Sequence, residues 1–193
     1  MSTRARIALV AALSLPGCAR STATLGPGGD GWWTAGAGDP AAVSATAAAE
    51  ARREGREDAR GVAARRADVV RTAREFMGRP YKLGGTGVMG GGFDCSGLIQ
   101  YAYLAHGLQL PRRSVEQARA GRPVGKDPGR LEPGDILTFA NHGRGVTHVG
   151  MYVGEGRFIH SSSKGVRESV LSVDDPDGRW WLRRWVGVRR VLD

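Results

Sequence analysis

The second half of the chain alternates apolar and polar residues in short runs that are typical of β-strands. Ile136–Phe139 follows the turn signal Pro133-Gly134-Asp135, and two further strands are predicted at Thr147–Val153 and Arg157–Ser161. Valine and tryptophan favour additional short strands near 166–170 and 183–191. Within the second strand, alternation places a histidine, a glycine and a tyrosine on one face and three apolar residues on the other.

The first half of the chain is patterned for helices. Residues 47–77 are dense in alanine, arginine and glutamate and contain no proline. Apolar positions near helical spacing in their second half predict one or two helices, the last covering 65–77 and ending before Pro80. Residues 46–64 remain open between a helical spacer, a partner-binding helix and disorder.

Two shorter helices are predicted from their caps. Asp94 can cap a helix that runs to about residue 105 and stops at Gly107. Ser114 and Gln117 form a capping-box pair for a short helix of 115–120. Helices that precede strands predict an α+β fold, with an N-terminal helical half packed on a small antiparallel β-sheet.

Residues 1–18 have the pattern of a signal peptide, with two arginines before an apolar run that is too short to span a bilayer. The run ends in Leu15-Pro16-Gly17-Cys18, which resembles the bacterial lipobox; an ordinary signal peptide that contains a cysteine is the alternative. Lipidation of Cys18, for example with palmitate, would anchor an exported protein to a membrane. By resemblance to enterobacterial lipoprotein sorting, Ala19 after the cysteine leads us to expect the outer membrane, facing the periplasm. Residues 19–64 then form a flexible tether and the helical spacer.

The formal net charge of +9 over 193 residues comes almost entirely from arginine. Such a charge favours anionic partners or simply a solvated surface. The arginines are spread along the chain without a nucleic-acid motif, and export argues against such a partner, so we expect no nucleic acid. The length allows one domain, at residues 65–193, besides the appendages.

Cys95 lies at the start of the helix that Asp94 caps. The positive end of a helix dipole and its free N–H groups favour a thiolate, which makes Cys95 a candidate nucleophile. A small buried hydrophobic residue is the alternative. If Cys18 is lipidated, Cys95 has no disulfide partner.

Two histidines are predicted to meet beside this cysteine. Gly154-Glu155-Gly156 favours a short hairpin between two strands. If the loop is centred on Gly154, the residue numbers of cross-strand partners sum to 308, so His148 pairs directly with His160. If the loop is centred on Glu155, the partner numbers sum to 310, and the two histidines are diagonal neighbours on one face. Either register brings their side-chain stems to roughly 5–8 Å. Close to Cys95, this pair would form a Cys/His/His triad in which His148 takes the thiol proton and His160 orients the imidazole of His148.

The alternative use of one cysteine and two histidines is a metal site, which needs a further ligand at the same place. Asp94 is committed to capping, so we expect no metal and no other cofactor. His106 ends a helix, which is a structural position, and His142 lies in a loop.

The ordered set Asp94-Cys95-Ser96-Gly97, His148 to Gly154 and Phe158-Ile159-His160-Ser161 resembles the NlpC-type family of papain-like cell-wall cysteine peptidases. Three further segments agree with the family, and the resemblance covers roughly residues 65–192: Gly78 to Gly85, Leu110 to Ser114 with Gln117, and Leu131 to Ile136. The glycine-rich loop at 84–92 departs from the commonest pattern and leaves the shape of the entry cleft open.

The resemblance implies a role for each matching residue. Cys95 would attack the scissile carbonyl, His148 would act as base and then acid, and His160 would orient His148. Tyr81 would stabilise the oxyanion together with the Cys95 backbone N–H, while Asp94 and Ser96 would border the substrate.

The implied function is a cysteine endopeptidase that cuts stem peptides or cross-links of peptidoglycan. A monomer is our default expectation. Two alternatives stay open. One is a papain-like amidase or acyltransferase, and the other is a non-catalytic or adaptor-dependent wall-binding lipoprotein.

Overall fold

The computed structural model describes residues 40–87, 91–141 and 145–193. Cys18 with its lipobox, most of the predicted tether, residues 88–90 of the glycine-rich loop and His142 lie outside the described residues. The predictions made for them therefore stay predictions.

One continuous helix, α1, spans Pro40–Arg74. It replaces the predicted last helix of 65–77, and it includes residues 40–45, which sequence analysis had assigned to the tether. Alanine and arginine are strong helix formers, and no proline interrupts the run after its first residue. Among the α1 residues whose burial is described, the buried ones lie in the last turns and include Val69, Val70 and Ala73. Neither α1 nor any other helix in the described ranges is long and apolar enough to cross a membrane.

The helix α2, Cys95–Leu104, begins where it was predicted. Asp94 is its N-cap and accepts a hydrogen bond from the Gly97 N–H at 2.7 Å. Gly107 follows the helix with a φ of 78°, a left-handed conformation that favours glycine.

The short helix α3, Ser114–Gln117, starts one residue earlier than predicted. Its N-cap is Arg113, whose N–H donates to the Glu116 carboxylate at 3.3 Å. The predicted Ser114/Gln117 capping box is therefore wrong by one position. Gln117 is instead fully buried and donates to the carbonyls of Ser96 and Pro111.

Six antiparallel strands form one sheet in the order β1-β6-β2-β3-β4-β5. Their bounds are β1 Arg122–Val124, β2 Ile136–Phe139, β3 His148–Gly154, β4 Arg157–Ser162, β5 Gly165–Val170 and β6 Trp185–Arg190. The strand β1 and the helix α4, Pro176–Arg184, were not predicted. A 3₁₀ turn, Pro128–Arg130, precedes β2. The predicted α+β class, helices followed by an antiparallel sheet, is confirmed.

The hairpin of β3 and β4 follows the second of the two predicted registers. Met151 pairs with Ile159 and Tyr152 with Phe158, so the paired numbers sum to 310. Glu155 lies at the centre of the turn with a φ of 53°. His148 and His160 are consequently diagonal neighbours on one face.

Each face of the sheet carries its own apolar core. The core between the sheet and the helices α1 and α2 includes Leu98 and Ile99 of α2 and Val149, Met151 and Ile159 of the sheet. The opposite face packs on Leu137, Phe139, Phe158, Trp181 and Trp185 among others. Cys95 belongs to the first cluster, whereas the two histidines project from the second face, so the nucleophile and the histidines approach each other around the starting end of β3.

A buried ion network ties α1 to the sheet. The guanidinium of Arg190 forks onto Asp135, with Nε–Oδ1 and Nη2–Oδ2 distances of 2.7 Å each. Arg66 of α1 lies 3.0 Å from Glu132 and also donates to the Leu192 carbonyl. Because Asp135 is fully buried, its charge depends on these partners.

Candidate active site

Cys95 is the first residue of α2 and a free, buried cysteine. Burial raises the pKa of its thiol; the N–H of Val149, next to His148 on β3, opposes this by hydrogen bonding to the sulfur. Sequence analysis expected a lowered pKa from the helix N-terminus. The structure differs because the sulfur is packed against β3, and the thiol is protonated at neutral pH.

His148 and His160 are joined by a hydrogen bond of 2.9 Å between Nε2 of His148 and Nδ1 of His160. The Nε2 of His160 lies 3.0 Å from the Ser169 hydroxyl on β5. Both imidazoles are buried, and burial lowers the pKa of His148 to about 4. The pKa of His160 is lowered further, first by burial and then by the charges of His148 and Arg167. Both rings are therefore neutral at neutral pH.

Aromatic rings enclose the histidine pair. The ring centroid of Trp181, on α4, lies 5.3 Å from that of His148 and 4.7 Å from that of His160. Phe158 is 5.0 Å from His160 and 5.2 Å from Trp181, so the three rings form one cluster. Sequence analysis missed Trp181 because α4 was not predicted; Asp175 followed by Pro176, a cap with proline in the first turn, was the available signal.

A cleft of about 580 Å³ opens over Cys95, His148 and His160 and continues along β4, β5 and α4. Lys164, Arg167 and Asp177 bring charges of both signs to its wall. No hydrogen bond joins Cys95 to His148 within the described ranges, but both side chains line this space. Catalytic hydrogen bonds are often long before substrate binds.

On the other side of Cys95, a second cleft of about 460 Å³ contains Asp94, Ser96 and Arg112. Arg112 forks onto the Asp94 carboxylate, with nitrogen–oxygen distances of 2.9 and 2.6 Å, and donates to the Ser96 hydroxyl at 3.0 Å. Burial raises the pKa of Asp94, but the bonds from Arg112 and from the Gly97 N–H outweigh it and leave the pKa low. Asp94 thus acts as cap and ion-pair partner; its contact with substrate stays a prediction, as does that of Ser96.

Tyr81 stands where the two clefts meet and lines both. A single β-bridge pairs it with Phe93, two residues before Cys95. Its side chain is 40% exposed, and partial burial, followed by the nearby Cys95 and Asp94, raises the pKa of its hydroxyl. The hydroxyl is therefore protonated, as a hydrogen-bond donor must be.

Sequence analysis predicted no role at this site for four side chains: Arg112, Arg167, Ser169 and Trp181. Arg112 lay within the quoted Leu110 to Ser114 segment, but nothing local showed that it would reach Asp94, 18 positions earlier. Strand alternation places Arg167 and Ser169 at the site only once the pairing of β5 with β4 is known, because Arg167 pairs directly with His160.

A cysteine at the start of a helix, facing histidines on an antiparallel sheet, is the arrangement of papain-like domains. A family model agrees with this class: residues 78–190 match the NlpC/P60 family. The chain belongs to the NlpC/P60 family.

Curated relatives match about two thirds of the chain. The gamma-DL-glutamyl hydrolase of Bacillus subtilis is 41% identical over 125 residues, which are 63% of this chain and 28% of that protein. The gamma-D-glutamyl-L-lysine dipeptidyl-peptidase of Bacillus cereus is 38% identical, covering 65% of this chain and 36% of that protein. The murein DD-endopeptidase MepH of Escherichia coli is 37% identical, covering 60% and 42%. The chain thus spans less than half the length of these three relatives.

Two solved structures have the same fold. A crystal structure of an NlpC/P60 family protein from Bacillus cereus superposes with a TM-score of 0.58 at 36% identity, covering 66% of this chain and 40% of that one. The peptidoglycan hydrolase RipB from Mycobacterium tuberculosis gives a TM-score of 0.54 at 30% identity, covering 72% and 68%.

Proposed function

We propose that the protein is a cysteine endopeptidase that hydrolyses peptide bonds in peptidoglycan, with Cys95, His148 and His160 as its triad. The observation that carries the proposal is the hydrogen-bonded histidine pair in the cleft that also holds the free cysteine of α2. Membership of the NlpC/P60 family supports it, as do the peptidase names of the relatives from Bacillus cereus and Escherichia coli.

The resting pair is a neutral thiol and a neutral imidazole, because burial raises the pKa of Cys95 and lowers that of His148. The thiol proton therefore moves to His148 as the sulfur attacks the scissile carbonyl. With Nε2 of His148 held by His160, Nδ1 is the nitrogen that receives it. The oxyanion that forms accepts hydrogen bonds from the Cys95 N–H and the Tyr81 hydroxyl, and such a donor commonly contributes about 3 kcal/mol.

The imidazolium of His148 next gives its proton to the leaving amine as the C–N bond breaks, which leaves a thioester on Cys95. A water then attacks this acyl-enzyme and gives its proton to His148, and the sulfur departs and regains the proton. The amine product lies on the histidine side of Cys95, in the cleft along β4 and β5. The acyl part lies on the side of Asp94, Ser96 and Arg112.

The names of the relatives point to two bonds, a gamma-D-glutamyl-L-lysine bond and a DD bond of murein. We therefore propose peptidoglycan stem peptides or cross-links as the substrate class. The charged walls of both clefts support a substrate that carries carboxylates and amines.

We also propose export and attachment to the bacterial outer membrane through a lipid on Cys18. The support is the signal-peptide pattern of residues 1–18 with its lipobox-like end. Labelling of cells with an alkyne analogue of palmitate tests it: the wild-type chain should carry the label and sediment with membranes. Label that persists in Cys18→Ser, or a wild-type chain that stays in the soluble fraction, would contradict the proposal.

The activity is tested by digesting purified peptidoglycan and soluble muropeptides with the chain that starts after residue 18. The products are identified by mass spectrometry beside Cys95→Ala, whose folding is checked by circular dichroism. New peptide termini that appear only with the intact cysteine support the peptidase and name the bond. Binding to the wall without cleavage by either protein would favour the non-catalytic or adaptor-dependent alternative.

A further inference from the structure

Ser169 continues the line of hydrogen bonds that leaves the histidine pair. It lies on β5, is buried, and its hydroxyl is 3.0 Å from Nε2 of His160. His160 in turn contacts Nε2 of His148 through its own Nδ1. Both nitrogens of His160 are therefore occupied, one by the base and one by a serine.

The direction of these bonds decides whether His148 can act as a base. A neutral imidazole carries one proton, on one nitrogen. If the Ser169 hydroxyl donates to Nε2 of His160, then His160 carries its proton on Nδ1 and donates to His148. Nε2 of His148 is then an acceptor, its proton is on Nδ1, and no lone pair faces the thiol.

The opposite direction gives a working base. When Ser169 accepts from Nε2 of His160, Nδ1 of His160 is a lone pair and accepts from Nε2 of His148. The Nδ1 lone pair of His148 is then free. Resting on the proposed peptidase function, we propose that Ser169 is a positioning residue: it accepts the Nε2 proton of His160 and thereby holds both histidines in the tautomers that catalysis needs.

The surroundings of His160 leave this role to Ser169. The ring is almost completely buried and packs against Phe158 and Trp181, which offer no acceptor to Nε2. The charged neighbour on β5 is Arg167, which pairs with His160 across the strands, has only donor nitrogens, and disfavours a cationic His160. Ser169 also lines the cleft, so its own hydrogen can turn towards the solvent there.

Removal of the hydroxyl leaves the Nε2 proton of His160 buried without a partner. A lost partner of this kind shifts an equilibrium by about 5-fold to 150-fold, here towards the Nδ1 tautomer. We expect Ser169→Ala to lower kcat by about tenfold or more while KM changes little, because the substrate does not contact Ser169 in this role. Ser169→Thr keeps an acceptor on a strand residue and should restore most of the rate.

The test uses the purified full chain with the muropeptide cleaved in the digestion experiment. Ser44→Ala is the control, because Ser44 is an exposed serine of α1 that lines neither cleft. Nitrogen-15 NMR of the histidine rings gives the tautomers directly. The proposal requires the His160 proton on Nε2 in the wild type and a shift towards Nδ1 in Ser169→Ala.

A wild-type His160 that carries its proton on Nδ1 overturns the proposal, whichever variants fold. So does a Ser169→Ala rate within twofold of wild type, or a loss that Ser169→Thr does not restore. If the wild type cuts no peptidoglycan, the proposed function fails on that result alone, and the NMR measurement still decides the bond direction.

Discussion

His148 should make the folded state sensitive to mild acid. Its pKa falls from an ordinary 6.5 to about 4 because the ring is buried, whereas the unfolded chain keeps the ordinary value. Between pH 6.5 and pH 4 the unfolded state therefore binds the proton more readily than the folded state. Stability conferred by the neutral ring is complete above pH 6.5, declines as the pH falls through this window, and levels off below pH 4.

The size of the effect follows from the two pKa values. At 1.36 kcal/mol for each pH unit, the change from 6.5 to about 4 corresponds to about 3 kcal/mol in the free energy of unfolding. A small domain has about 5–15 kcal/mol in all, so this is a large share. His160 acts in the same direction, since burial lowers its pKa as well.

Urea unfolding at pH 7 and pH 4 measures the effect, with His148→Gln as the reference. Glutamine fills similar space, can bond to His160 and does not titrate. Carboxylates change the stability of both proteins, so the quantity of interest is the difference between their two pH dependences. We expect the wild type to lose about 3 kcal/mol more than the variant. Equal losses would show that burial does not depress the pKa of His148.

Three further predictions concern the buried ion network, two glycines and the cover of the histidines. Asp135→Asn should lower the free energy of unfolding by about 3–5 kcal/mol in urea titrations, because it removes the buried carboxylate onto which Arg190 forks and leaves the exposed Glu132 as the remaining carboxylate partner; a loss below about 1 kcal/mol would contradict this. Gly97→Ala should abolish cleavage and lower Tm, since its Cβ would lie 2.1 Å from a backbone oxygen, whereas Gly61→Ala, with nothing within 4 Å, should raise stability by up to about 1 kcal/mol. Trp181→Ala should let water reach the histidines and raise the pKa of His148 towards 6.5, which NMR titration of the ring protons would reveal or refute.

Sequence patterns predicted what is encoded locally. Asp94 predicted the start of α2 because its side chain can cap the helix. The Gly154-Glu155-Gly156 turn limited the hairpin to two registers, both of which placed His148 and His160 next to each other on one face. The family resemblance supplied the fold and the membership now confirmed by the NlpC/P60 match.

Local sequence patterns could not predict contacts between segments that are distant along the chain. Arg112 reaches Asp94, and Trp181 covers the histidines, only because the chain folds back over many residues. The raised pKa of Cys95 belongs to the same group: a helix N-terminus alone favours a thiolate, and only the packing against β3 reverses the balance.

The protonated, buried thiol of Cys95 bears on how this protein would be detected chemically. Simple alkylating reagents react with the thiolate, so at neutral pH they should modify Cys95 slowly even in a fully competent protein. Slow labelling would therefore say nothing against a nucleophile here. A useful activity probe would need a peptide portion that fills the cleft beside Arg112 and places its electrophile at the sulfur, so that His148 removes the proton during capture.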